Sequence, residues 1–148
     1  MSPASVKSAE DVLGFEYDWL ASDAEGHVAL FSTAGAGYAP GQFLQDTDAH
    51  DAAIDAILQM PAITQASFAP EIPPTLKNKW KQVAERGLYA FDCDPVGGPY
   101  RLVAAPVVAR RVEDLPVQAR EAVAHIQFRT LRFRDHSTLT GDVLRESE

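Results

Sequence analysis

The chain has 148 residues, of which 46% are apolar and 23% are charged, as is usual for one soluble globular domain with its own hydrophobic core. No apolar run approaches the roughly 18 residues that a membrane-spanning helix needs, and the first residues show no signal-peptide pattern. The single cysteine, Cys93, excludes an intramolecular disulfide framework, so we expect a cytoplasmic protein.

The formal net charge of −8 is concentrated in the first part of the chain. Residues 1–60 hold ten acidic side chains and one basic side chain, Lys7, which gives that part a net charge of −9. The remaining residues hold eleven acidic and twelve basic side chains. Because phosphate binding relies on Lys and Arg, this distribution argues against nucleic acid and suits a basic protein partner. The alternative interpretation is a solvated surface that keeps the protein soluble.

The predicted elements begin with two strands, Tyr17–Ala21 and His27–Thr33, joined by a polar turn. After a glycine-rich loop, Gly35–Gly41, a helix is predicted from about Asp46 to Pro61. Acidic capping residues at its start and an apolar stripe at helical spacing support this helix. Three prolines, at positions 70, 73 and 74, then predict a stiff connector.

The second half of the chain continues with helices and strands in alternation. Its predicted elements are a helix from Pro74 or Thr75 to Gly87, strands at Leu88–Cys93 and Pro99–Ala109, a helix from Asp114 to Ala124, and a last strand at Ile126–Arg134. Pro106 is expected to mark an edge, a bulge or the end of its strand. The order β-β-α-α-β-β-α-β predicts one α+β domain over residues 1–148, with a mainly antiparallel sheet and helices packed on one face. We expect loose tails at residues 1–13 and 136–148.

The glycine-rich loop does not match a phosphate-binding pattern. Its glycines at 35, 37 and 41 are spaced one residue too widely for the dinucleotide fingerprint, and Pro40 stands where the following helix would begin. Ser32 lies outside any G-x-S-x-G pattern, so no nucleophile elbow is indicated. A turn that needs positive φ explains these glycines, and no cofactor or catalytic residue is predicted.

Other candidate chemistry also has a structural explanation. Asp46, Asp48, His50 and Asp51 could ligate a metal, but their spacing fits neither an EF-hand nor H-E-x-x-H, and helix capping accounts for them. No metal site is therefore predicted. Arginines 129, 132 and 134 alternate with apolar residues, yet the RNA-binding RNP1 pattern is absent. Cys93 has no C-x-x-C partner and is interpreted as a buried apolar residue.

Residues 16–37, EYDWLASDAEGHVALFSTAGAG, resemble the opening of small bacterial proteins, some of which are similar to immunity proteins encoded beside polymorphic or contact-dependent toxins. The resemblance lies in the strand with Asp18 and Trp19, the Asp-x-x-Gly-His turn and the run from Phe31 to Gly35. It implies a single-domain, non-enzymatic cytoplasmic protein that neutralises a partner protein. It carries over no catalytic residue.

The leading hypothesis is a non-enzymatic bacterial binding protein that resembles immunity proteins and blocks a basic toxin domain. Acidic side chains would steer this partner, and an aromatic side chain within a polar rim would anchor it. The candidate acidic residues are Asp18, Asp23, Glu25, Asp46, Asp48, Asp51 and Asp55, and the candidate anchors are Tyr38 and Phe43.

Two alternatives stay open. One is a small enzyme or small-molecule-binding domain with a pocket near the Gly35–Gly41 loop, using His27 or His50 with a nearby aspartate. A deep pocket joining these histidines would favour it, whereas a convex surface at the loop would count against it. The other is a structural or oligomeric subunit that uses an exposed sheet edge.

Overall fold

A computed structural model describes Lys7 and residues 16–69, 78–93 and 97–148. The strands are β1 (Asp18–Ser22), β2 (Val28–Ser32), β3 (Ala66–Phe68), β4 (Tyr89–Cys93), β5 (Tyr100–Pro106) and β6 (Thr138–Leu139). The helices are α1 (Gly41–Gln45), α2 (Thr47–Leu58), α3 (Lys79–Glu85), α4 (Val117–Ala124) and α5 (Gly141–Ser147). Within these ranges no helix is long and apolar enough to cross a membrane. The predicted α+β class is confirmed.

The strands form one mostly antiparallel sheet in the order β1-β2-β4-β5-β3, and β6 pairs with the start of β5. β1 and β2 form a hairpin, whereas β2 and β4 are parallel, so the chain between them crosses over through α2 and α3. In this register Ser32 lies between Asp18 on β1 and Asp92 on β4. Three polar residues therefore share one row at this end of the sheet.

The first face of the sheet is covered by α2, α3 and α4. Leu20 and Leu30 of the sheet pack with Ile54 and Ile57 of α2 and with Val83 of α3. All five side chains are almost fully buried. This is the apolar stripe that was predicted for the helix after Asp46, and its burial supplies most of the stability of such a helix.

The second face of the sheet carries a cluster of aromatic side chains. The Phe31 ring stacks between Trp19 and Phe91, with centroid distances of 4.1 and 5.1 Å. Tyr100 meets Phe31 edge-on at 5.1 Å, and its hydroxyl accepts a hydrogen bond from Trp19 Nε1 at 3.2 Å. Residues 126–144 cover this cluster and complete a second core.

The prediction of a last strand at Ile126–Arg134 is wrong. This segment joins the sheet through one isolated bridge between Gln127 and Ser22 and then turns away. Its buried side chains are Ile126, Phe128, Leu131 and Phe133. The three-residue step from Phe128 to Leu131 interrupts the alternation of a strand, because the backbone turns there to keep both side chains in the aromatic core.

The prediction of a loose tail at residues 136–148 is also wrong. Thr140 caps α5 by accepting a hydrogen bond from the Val143 N–H at 3.2 Å, and Leu139 and Leu144 are completely buried. Two buried leucines in a mostly polar segment are too few to produce a periodic pattern. Of the predicted N-terminal tail, residues 1–13, only Lys7 lies within the described residues.

Two predicted helices begin later than expected. α3 begins at Lys79, where the Asn78 side chain accepts a hydrogen bond from the Lys81 N–H, and the predicted start at Pro74 or Thr75 lies outside the described residues. α4 begins at Val117, and Asp114 lies in a preceding 3-10 turn instead of capping the helix. The short elements α1 and β3 were not predicted, because five and three residues are too few for a periodic signal.

Candidate functional site

Four carboxylates lie together where α2 passes the start of β1. Asp48, Asp51 and Asp55 are spaced by three and four residues along α2 and are all exposed, so they form one side of the helix. Asp18, the first residue of β1, belongs with them because its charge acts on Asp51. We call Asp18, Asp48, Asp51 and Asp55 the acidic face.

Like charges are crowded on the acidic face. Partial desolvation, followed by the charges of Asp48 and Asp18, raises the pKa of Asp51 above its usual value. Lys79 at the start of α3 pairs with the face, since its Nζ lies 2.7 Å from Asp18 Oδ2. Desolvation lowers the pKa of Lys79, but the hydrogen bond to Asp18 and the charges of Asp18, Asp51 and Asp55 raise it overall. One ammonium group leaves the four carboxylates with a net negative charge.

A short chain of hydrogen bonds holds Asp18 in place. Ser32 Oγ donates to Asp18 Oδ1 at 2.7 Å, and Trp80 Nε1 donates to Ser32 Oγ at 3.3 Å. The three residues line a cavity of about 190 Å³, which Glu16 and Asp92 also border. The three carboxyl groups around this small space outnumber the one ammonium group of Lys79, which also lines it, so the cavity suits a further basic group better than an anion.

The other predicted acidic residues do not belong to this surface. Asp23 and Glu25 follow the opposite end of β1, about 17 Å of extended strand away from Asp18. Asp23 is 7% exposed and its carboxylate is bonded within the fold, so it cannot steer a partner. Asp46 caps α2, with its Oδ1 accepting a hydrogen bond from Ala49 N–H at 3.2 Å.

Neither predicted aromatic anchor is freely exposed. Phe43 is completely buried and packs edge-on against His50, so the folded protein does not offer it to a partner. Tyr38 is half-buried, and its hydroxyl donates to Glu148 Oε1 at 2.8 Å. The Arg145 guanidinium lies 4.8 Å from the centre of the Tyr38 ring. Partial burial and then Glu148 raise the pKa of Tyr38.

The glycine-rich loop packs onto the aromatic core at Gly37. A Cβ atom on Gly37 would lie 2.7 Å from the Tyr100 hydroxyl, and that hydroxyl donates to the Tyr38 carbonyl at 2.6 Å. Gly35 has a φ of +90°, which other residues rarely adopt. Gly35 and Gly37 therefore have a structural role in this loop.

A larger cavity, of about 390 Å³, lies between α1, α2 and α4 and is lined by His50. His50 Nδ1 accepts a hydrogen bond from the Leu20 N–H at 3.0 Å, so the neutral ring carries its hydrogen on Nε2. Burial lowers the pKa of His50 to about 4. The charge of Asp46 acts against this decrease, and the charge of His125 adds to it. At neutral pH, His50 is an uncharged hydrogen-bond donor. The remaining polar lining residues are Gln42, Gln45, Asp46, Gln118, Glu121 and His125.

Asp23, Glu25 and His27 form a separate group in the β1–β2 turn, which we call the turn group. Asp23 Oδ1 accepts hydrogen bonds from the backbone N–H groups of Glu25 and His27 at 2.9 and 3.0 Å. One potential ligand atom of each residue lies within 4.8 Å of the other two. Among the described residues, His27 Nδ1 is buried without a hydrogen-bond partner. His27 does not line the His50 cavity, so the two predicted histidines belong to different places.

Comparison with models of known protein families, with curated protein sequences and with solved structures finds no match to this chain. The function is therefore argued from the chemistry of the sites, because a fold alone does not imply an activity.

Proposed function

We propose that the protein is a non-enzymatic binding protein that captures a basic protein domain on its acidic face. The crowding of Asp18, Asp48, Asp51 and Asp55 is the observation that supports this proposal. Like charges held together destabilise the folded chain, and a basic partner would offset that repulsion. The resemblance to immunity-type proteins suggests a cognate toxin as this partner.

The ion pair between Lys79 and Asp18 suggests how a basic side chain of the partner would bind. Its 2.7 Å contact marks a position beside the acidic face that accepts an ammonium group. The adjoining 190 Å³ cavity is lined by Trp80, whose ring offers a surface for a cation, and by Asp92. A basic side chain of the partner would enter this cavity while the exposed carboxylates of α2 guide its approach.

The proposal predicts that the protein co-purifies at low salt with the product of a neighbouring gene and protects cells from it on co-expression. The double variant Asp51→Asn and Asp55→Asn should weaken both effects, because it removes two charges with little change in volume. The matched control is Asp142→Asn with Glu146→Gln, which removes two exposed charges from α5, a helix packed on the other face of the sheet. Absence of a complex at low salt together with absence of protection would contradict the proposal.

A second candidate function is small-molecule binding in the His50 cavity. Its volume of about 390 Å³ falls within the range of roughly 300–1,000 Å³ that is usual for ligand pockets. His50 presents a donor of fixed tautomer at its wall, which is suited to orienting an acceptor group.

This candidate predicts that small polar compounds perturb the NMR signals of His50 and its neighbours. Ala49→Leu should abolish these perturbations because the larger side chain fills the cavity that Ala49 lines. Ala62→Leu, at an exposed position outside the cavity, should leave them unchanged. Perturbations that persist in Ala49→Leu would exclude the cavity as the binding site.

A further inference from the structure

We propose that the turn group is a zinc site, with the carboxylates of Asp23 and Glu25 and the imidazole of His27 as its three protein ligands. The turn group lies at the opposite end of β1 from the acidic face and shares no residue with it. Imidazole nitrogen and carboxylate oxygen are both established zinc ligands.

The positions of the donor atoms fit this assignment. The three candidate ligand atoms already lie within 4.8 Å of one another, and a tetrahedral zinc ion needs its ligand atoms about 3.3 Å apart. Glu25 and His27 are each partly exposed, so rotation of their side chains can close the difference. The backbone between them is held by the Asp23 carboxylate, which keeps the turn in one shape.

The unpaired ring nitrogen of His27 is the second observation. A buried polar atom without a partner costs free energy, and in the described part of the chain His27 Nδ1 has none. In the tautomer that carries its hydrogen on Nε2, Nδ1 has a free lone pair, and coordination to a metal would satisfy it. The ring is held near Tyr89, with the centroids 6.2 Å apart.

Asp23 is already oriented as a metal ligand would be. Its Oδ1 accepts two backbone hydrogen bonds, and its Oδ2 accepts one from the Phe133 N–H at 2.8 Å. Oδ2 retains one lone pair for a metal, while the backbone donors fix the direction of the carboxylate. Glu25 Oε1 lies 2.9 Å from Arg134 Nε in an ion pair without hydrogen-bond alignment. Because the Arg134 side chain is 55% exposed, it can leave Glu25 when zinc arrives.

Three protein ligands leave the fourth position of a tetrahedral zinc ion to water or to an external ligand. Through Asp23 the metal would also tie the turn to the segment that covers the aromatic core. The three ligands are assembled only in the folded chain, so zinc would bind the folded chain and not the unfolded one. Zinc binding should therefore raise the stability of the protein.

The test is a titration of the chelator-treated full chain with Zn²⁺ by isothermal calorimetry, with Co²⁺ absorption as a report of tetrahedral coordination. We expect one zinc ion to bind per chain, with an affinity that falls at least about tenfold in His27→Gln and in Glu25→Gln. Even the loss of a residue that only hydrogen-bonds a metal ligand lowers metal affinity roughly 10–100-fold. The matched controls His125→Gln and Glu146→Gln, at exposed positions, should bind as the unaltered chain does. Absence of saturable binding, or unchanged affinity in both turn variants, would overturn the proposal. Asp23 is left intact because the fold depends on it.

Discussion

Replacing Asp23 by alanine is expected to lower the free energy of unfolding by about 3–5 kcal/mol, since each buried donor left unpaired costs about 1–3 kcal/mol. The Asp23 carboxylate accepts hydrogen bonds from three backbone N–H groups, those of Glu25, His27 and Phe133. Alanine removes all three acceptor contacts at a site that is 7% exposed. The bond to Phe133 also joins the first hairpin to the cover of the aromatic core, so both parts should loosen together.

Urea unfolding and hydrogen exchange at the Phe133 amide measure this effect. Asp23→Asn keeps one acceptor oxygen and should be less destabilising than alanine. Asp142→Ala removes a carboxylate of which 88% is exposed, so its effect should stay within about 0.5 kcal/mol. A loss below about 1 kcal/mol for Asp23→Ala would show that the turn does not depend on this carboxylate.

The second large effect concerns His50 and pH. Its pKa of about 4 in the folded protein lies below the 6.5 expected when the chain is unfolded. Below pH 6.5 the unfolded chain takes up a proton that the folded chain does not, so stability falls as the pH falls. The contribution is fully present above pH 6.5 and is lost by about pH 4, with a size on the order of 3 kcal/mol. The raised pKa of Asp51 makes the folded protein more stable as the pH falls, which is the opposite direction. The effect of His50 must therefore be measured as the difference in stability between the unaltered chain and a variant that lacks His50.

Urea unfolding of the unaltered chain and of His50→Asn between about pH 4 and pH 6.5 isolates the contribution of His50 to the free energy of unfolding. Asparagine does not titrate, and its side-chain oxygen can accept the hydrogen bond that the Leu20 N–H makes to His50. The stability of the unaltered chain relative to the variant should decrease as the pH falls. His136→Gln alters a partly exposed ring outside the His50 cavity and should keep the original pH profile. Parallel profiles for the unaltered chain and His50→Asn would show that His50 is not held neutral by burial.

Local signals predicted the first hairpin and the helix after Asp46 well. The helix carries a capping aspartate followed by a buried apolar stripe, and both are read from neighbouring residues. The segment after Ala124 was predicted poorly, because its structure follows from filling the space above the aromatic core. Phe128 is completely buried and Leu131 is almost completely buried, although neither residue lies in a helix or a strand.

Only the part of the acidic face that lies on one helix could be predicted from the sequence. The stripe of Asp48, Asp51 and Asp55 follows directly from helical spacing. Its continuation to Asp18 and the pairing with Lys79 could not be predicted, since 61 residues separate Asp18 from Lys79 and the parallel pairing of β2 and β4 brings them together.

Phe43 and Asp23 are more buried than their positions in the sequence suggest. An aromatic residue next to a loop and an acidic residue in a turn both look like surface positions. In the structure Phe43 fills the core, and Asp23 satisfies three backbone donors. Burial of this kind depends on contacts with distant segments, which the local pattern does not contain.

Capture of a basic partner by the acidic face can be measured as the rate of association with the product of the neighbouring gene at increasing ionic strength. The rate should fall steeply with salt for the unaltered chain, because exposed charges are screened. At low salt the Asp51→Asn, Asp55→Asn variant should associate roughly tenfold more slowly and with a weaker dependence on salt. The Asp142→Asn, Glu146→Gln control should behave as the unaltered chain does. A rate and a salt dependence that are unchanged in the acidic-face variant would contradict the claim.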